Sequence, residues 1–175
     1  MVAAALARVT TDFESLYDGL SDEQLDTICF HRRGNRSVRW YAAHRLAEVA
    51  FHGWDLETSL GRAPRFDEAI ARLLLPTLIE SNVPRTYAAG LSAARGCGER
   101  YLLRATDDSA AVWLVTIDAD TLAVSRGEAP ADVRVTASAA ELALLVYGRA
   151  ELIALPGVQG DPAVIQRFAE IFPRP

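Results

Sequence analysis

The stretch that decides the fold class runs from Tyr101 to Val124 and reads YLLRATDDSAAVWLVTIDADTLAV. Its apolar residues form short β-type runs: Tyr101–Arg104, Val112–Ile117 and Leu122–Val124. Asp107-Asp108 and Asp118-Ala119-Asp120 separate these runs as turns. Val133-Arg134-Val135 is a further run of the same kind. Ser138, with Glu141 three residues on, forms a capping box for a helix through Tyr147. Asp161-Pro162 is an N-cap followed by proline at the first helical position, and starts a last helix to Phe172. The second half therefore holds three or four strands and two helices.

Working back from this stretch, the period turns helical. Val2, Leu6, Val9, Phe13, Leu16 and Leu20 are spaced by four and three, the mark of an amphipathic helix that ends near Gly19. Ser21 and Gln24 form a second capping box, and Leu20 can staple to Leu25. Arg32–Arg36 is a polar turn. From Ser37 to about Leu60 only Gly53 interrupts a helix, which at 1.5 Å per residue is about 35 Å long. Gly61 is its stop. Asp67 opens another helix to about Glu80, with Pro76 as a kink or boundary. Gly90, Gly96 and Gly98 mark a linker over residues 84–98. The expected class is α+β: a helical half over residues 1–90, then a smaller α+β half over 91–175.

Composition narrows the chemistry. Half of the 175 residues are hydrophobic, which suits one compact domain or two small ones and excludes a disordered chain. All 18 basic residues are Arg. Without lysine there is no Schiff-base nucleophile and no phosphate-loop lysine. The net charge of −5 speaks against a general nucleic-acid binder, and the cluster Arg32, Arg33, Arg36 and Arg39 reads as a solvated face. Cys29 and Cys97 form no CxxC pair and fit a reducing cytoplasm. No run of about 18 apolar residues is present, so no membrane span and no membrane partner is expected.

The chemistry-bearing residues lie on the long helix. Tyr41, Arg45, Glu48, His52 and Asp55 recur by four, three, four and three and share one face. A carboxylate and an imidazole one turn apart, Glu48 and His52, can grip one divalent metal. Asp55 can orient the His52 ring. Arg45 can pair with Glu48 or hold a substrate carboxylate. The bland alternative is a solvated i,i+4 contact. Trp40, Tyr41, Val49, Phe51 and Trp54 around the stripe favour a buried helix, in which the charges need partners. His44 stands eight residues from His52, about 12 Å along the axis, and reads with His31 as structural or surface.

The run Arg45-Leu-Ala-Glu48-Val-Ala-Phe-His52-Gly-Trp54-Asp55 resembles the RxxExxxHxxD signature of the mycothiol-dependent maleylpyruvate isomerase family, a branch of the DinB-like helical bundles. Residues 131–138, 141–149 and Gly160-Asp161 resemble that family's C-terminal domain, which is similar to sterol carrier proteins. The resemblance implies that Glu48 and His52 are two of three protein ligands to zinc. It implies that Arg149 points at the active cleft; the other reading is an Arg that satisfies carbonyls at a helix C-terminus. It further implies that a low-molecular-weight thiol, mycothiol in the type enzyme, is activated on the metal as thiolate. That thiolate attacks a small acidic or electrophilic substrate, and cis-to-trans isomerisation follows.

The chain departs from the pattern in one respect. The family's third ligand is a His on an earlier helix, which would lie upstream of Met1. The start can be truncated, His31 or a second subunit in a homodimer can substitute, or the chain is a paralogue without catalysis that binds a small ligand or a partner.

Overall fold

The computed structural model describes residues 2–31, 34–90 and 92–173, and for Val2, Ala3 and Leu6 the backbone alone. The chain forms two compact units, Met1–Phe51 and His52–Pro175.

The first unit holds α1 (Val2–Asp18), α2 (Asp22–Leu25), the two-residue strands β1 (Ile28–Cys29) and β2 (Arg36–Ser37), and the first part of α3 (Val38–Ser59). The expected capping box opens α2. Ser21 Oγ accepts the Gln24 N–H at 3.2 Å, and Gln24 Oε1 accepts the Ser21 N–H at 2.9 Å. Arg39 then ties α2 to α3 by donating to Asp22 at 2.9 Å and Asp26 at 3.0 Å. The pair β1–β2 is antiparallel, and the turn between the strands includes Gly34 at φ 99°. Arg32 and Arg33, on which the basic-cluster reading rests, lie outside the described residues.

The expectation that α3 is buried is corrected. Among its described side chains only Ala47 and Phe51 are buried, while Val49, Leu56 and the following Leu60 are exposed. The apolar residues around the stripe are spread over too much of the helix circumference for all of them to meet a core. The start and stop of α3 are as the sequence predicts. Ser37 Oγ caps the Trp40 N–H at 3.2 Å. At the other end Gly61, at φ 71°, closes a Schellman motif: its N–H donates to the Thr58 carbonyl, and the Arg62 N–H to that of Glu57.

In the second unit Asp67 caps α4 (Glu68–Thr77), which passes through a π turn (Leu78–Asn82) into α5 (Val83–Ala88). Pro76 lies inside α4 without an N–H for the helical ladder, and the π turn begins two residues after it. The linker is thus shorter than expected, because Val83–Ala88 is helical and takes in Pro84. The helices over residues 68–88, assigned from sequence to the helical half, pack on the sheet half, α4 against α6 and α5 against β5.

The sheet comprises β3 (Glu99–Ala105), β4 (Val112–Ile117), β5 (Leu122–Arg126), β6 (Val133–Ala137) and β7 (Val158–Gly160), in the order β5-β4-β3-β6-β7. Neighbours are antiparallel except β3 and β6, which run parallel with Leu103 opposite Val135. The fold class is α+β, as expected, with β7 as a strand that the sequence reading missed. One face of the sheet carries Tyr101, Leu103, Trp113, Val115, Ile117, Val133 and Val135, all buried. Buried with them are Leu74, Leu75, Leu78 and Ile79 of the helical layer, Leu142 of α6 (Ala139–Val146), and Phe168 and Ile171 of α7 (Pro162–Ile171). On the reverse face Leu102, Val112 and Leu114 form a smaller cluster under Ala129 and Ala131.

The N-terminus of α6 is neutralised from three directions. Ser138 and Glu141 make the expected capping box. Asp107 accepts the Ala139 N–H at 3.0 Å, and Glu68 of α4 accepts the Ala140 N–H at 3.1 Å. Three carboxylates thus meet the positive end of the helix dipole and its orphan donors. Glu80, in the π turn, accepts from Trp113 Nε1 and Arg126 Nε, both at 2.7 Å, and so ties the helical layer to β4 and β5.

Beside β7, Gly157 lies so close to the Thr136 carbonyl that a Cβ would collide with backbone, while its own carbonyl accepts the Thr136 N–H at 2.9 Å. Gly157→Ala is expected to destabilise the protein by about 1–3 kcal/mol in denaturant unfolding. Gly53→Ala, in the helix interior with open space around the new methyl, is expected to stabilise it by about 0.5–1 kcal/mol. A neutral Gly157→Ala contradicts the close approach of the loop to β6.

Candidate functional site

The second unit brings together three of the residues singled out from sequence, His52, Asp55 and Arg149. His52 and Asp55 are one turn apart on α3, and Asp55 Oδ2 lies 3.4 Å from His52 Nδ1. Arg149 follows α6 through a second Schellman motif. Gly148, at φ 71°, donates its N–H to the Leu145 carbonyl, and Arg149 donates its own to that of Leu144. This sharp exit sends the Arg149 side chain to Asp55. Nε–H donates to Oδ1 at 3.1 Å and Nη2 to Oδ2 at 2.9 Å, a two-point fork. The remaining nitrogen, Nη1, donates to the Tyr147 carbonyl at 2.6 Å, and the guanidinium lies 5.3 Å from the Tyr147 ring centroid. Of the two readings left open for Arg149, service to a carbonyl at a helix end is seen in its bond to Tyr147, while its other two nitrogens go to Asp55.

The burial is graded. The Arg149 side chain is 20% exposed, Asp55 36% and His52 67%. The pair thus stands at the edge of the packed region, with the imidazole toward water. The Arg149 hydrogen bonds are the main cause that holds the Asp55 carboxyl below its ordinary range. Burial, next in size, opposes this, and Arg149's charge and His52 add in the lowering direction.

The other stripe residues belong to the first unit. Arg45 is exposed. Glu48 is half-buried, with Oε1 3.9 Å from His44 Nδ1. The Tyr41 hydroxyl donates to the Phe30 carbonyl. His44 stacks on Trp40 at 4.7 Å between centroids, and His31 stands edge-on to Trp40 and Tyr41 at 5.2 and 5.9 Å. His31 and His44 thus take part in an aromatic cluster, in line with a structural role.

The donor set can be compared with zinc chemistry. A catalytic zinc takes three protein ligands and a water. Among the described residues no group of three His, Cys, Asp or Glu side chains could hold one ion. Glu48 and His52 offer two donors, so the described chain by itself does not complete such a centre. Tyr147 is the residue of this region that sequence reading passed over. The Tyr147-Gly148-Arg149 order after a capped helix was the available signal, because a glycine there turns the chain and returns the next side chain over the aromatic ring.

The carboxyl of Asp55 titrates lower in the folded chain than in the unfolded one, so its contribution to stability is present above the ordinary carboxylate range. It is lost as pH falls through the lower, folded value. In metal-free protein, Asp55→Asn is expected to be less stable than wild type at pH 7, and the difference is expected to shrink below about pH 4. Denaturant midpoints across this range measure it; a difference constant with pH contradicts the ion pair.

No family model matches this chain, and no curated protein matches it. Among solved structures it is similar to a chain described as "UbiJ-SCP2 Ubiquinone synthesis protein", at 20% identity and a TM-score of 0.33, over 61% of this chain and 91% of that one. So distant a likeness says nothing of what this chain binds or does. No helix among the described residues is long and apolar enough to cross a membrane.

Proposed function

We propose that this chain is a protein of the mycothiol-dependent maleylpyruvate isomerase kind, with a sterol-carrier-like second half, acting in the cytoplasm. Its activity would be metal-dependent thiol transfer or isomerisation on a small acidic electrophile. Glu48 and His52 would supply two ligands to a divalent metal, zinc by the donor types. The third would come from polypeptide outside the described residues or from a second copy. Arg45, exposed on the same stripe, would meet the acid group of the substrate. The low-molecular-weight thiol would be the co-substrate.

The observation that carries this reading is the Asp55 carboxylate 3.4 Å from His52 Nδ1. A carboxylate behind an imidazole is the usual support of a metal-ligating histidine. It holds the proton on Nδ1, turns the ring and makes Nε2 the metal-facing nitrogen. Zinc content after equilibration near pH 7 and desalting tests it. Wild type is expected to retain zinc in a fixed ratio to chain, and Glu48→Ala and His52→Ala are expected to lose it. Wild type that takes up no divalent metal overturns the reading.

A second reading has its own support. Among the described residues no three His, Cys, Asp or Glu side chains could hold one ion, and α1 exposes Val9 and Leu16, with Phe30 beyond it 82% exposed. A non-catalytic paralogue that binds a small ligand or protein partner fits these facts. It predicts binding of a hydrophobic dye by metal-free protein, lowered by Leu16→Glu. A monomer that binds no dye contradicts it.

A further inference from the structure

We propose that Arg149 is a positioning residue for His52, acting through Asp55, and not the group that grips an acidic substrate. The inference deepens the functional reading above, on which its consequence for metal binding rests. Its own basis is geometric and lies within the second unit.

Each nitrogen of the Arg149 guanidinium already has an acceptor in the chain: Nε and Nη2 on the two Asp55 oxygens, Nη1 on the Tyr147 carbonyl. A substrate carboxylate that took the fork would have to displace Asp55, which would leave a second carboxylate beside the first. That arrangement is poor for holding an acid and good for holding an aspartate still.

Asp55 needs such a hold. An aspartate on a helix, 36% exposed, has several rotamers open to it and water to compete for its oxygens. Two parallel hydrogen bonds from a planar guanidinium fix both side-chain torsions at once, because each oxygen has its own donor. One oxygen, Oδ2, is then placed 3.4 Å from His52 Nδ1. A neutral imidazole facing a carboxylate there carries its proton on Nδ1 and its lone pair on Nε2. Without the fork, Asp55 is no longer held beside Nδ1, and the Nε2–H form, which an imidazole in water favours, is expected to gain at His52.

Arg149 is itself held by the rigid part of the fold. It is the third residue after α6, and six residues of α6 are buried. The Schellman turn at Gly148 leaves its backbone little freedom. The Tyr147 ring supports the guanidinium face. Information about the sheet half thus reaches the imidazole through 94 residues of sequence separation and two side chains.

The test reads the tautomer directly. The chain has three histidines, so nitrogen-15 labelling at His gives three resolvable ring patterns. It is carried out on metal-free protein at about pH 8.5, where ordinary imidazoles are neutral. In wild type His52 is expected to be mainly Nδ1–H. In Arg149→Ala and in Arg149→Lys, which keeps the charge and loses the fork, Nε2–H is expected to become the major form, with the His31 and His44 patterns unchanged. Should Arg149→Ala not fold, Arg149→Lys decides. A folded variant whose His52 stays mainly Nδ1–H overturns the proposal, and so does a wild type already mainly Nε2–H; a fall in melting temperature alone shows a merely structural tie. If the chain also binds zinc, both variants are expected to weaken it about 10- to 100-fold. If it binds none, the tautomer result stands independently, so the two readings fail separately.

Discussion

The parallel pairing of β3 with β6 is the constraint on which the candidate site depends. It puts Val133 and Val135 beside Tyr101 and Leu103 and buries all four. β6 runs straight into Ser138, whose hydroxyl starts α6 on the covered face of the sheet. A one-residue slip of β6 would turn its buried residues outward, since strand side chains alternate. It would also move the start of α6, and with it Arg149 at the far end. The carboxylates of Asp107 and Glu68 on the first turn of α6 hold that start from β3's following turn and from α4. Side-chain geometry at the site is thus a consequence of sheet register.

The Asp55–Arg149 pair matters for direction more than for stability. Both side chains retain contact with water, so the net contribution of the pair is of the order of 1 kcal/mol even with fork geometry. Such a term is small against the buried core that supports it. Its effect lies in taking a carboxylate with free rotamers and giving it one orientation next to an imidazole. A ring with a settled tautomer is useful for binding a metal, or a proton donor, at the opposite nitrogen.

Much of the fold was legible in the sequence because its signals are local. Ser21 with Gln24, Ser138 with Glu141 and Asp161 with Pro162 each open a helix by bonds within four residues, and each does so in the structure. The run Val112–Ile117 is a strand over its whole length. What was not legible depends on distant partners. β7 is three residues with two half-exposed or exposed positions beside glycine, a strand only because β6 offers an edge. The burial of α3 was misjudged because apolar residues on a helix do not say how much surface there is to receive them. At the site, the spacing of His52 and Asp55 follows from the helix period. The arrival of Arg149 at Asp55 does not, because it depends on where α6 ends in space.

The central claim is that Asp55 and Arg149 act as one unit in solution, and a double-mutant cycle tests it most directly. Unfolding free energies of wild type, Asp55→Ala, Arg149→Ala and the double variant, measured metal-free at pH 7, give the coupling. The structure predicts a favourable coupling of about 0.5–1.5 kcal/mol. Additive effects within about 0.3 kcal/mol would contradict the pairing, and with it the orientation of His52 that the account rests on.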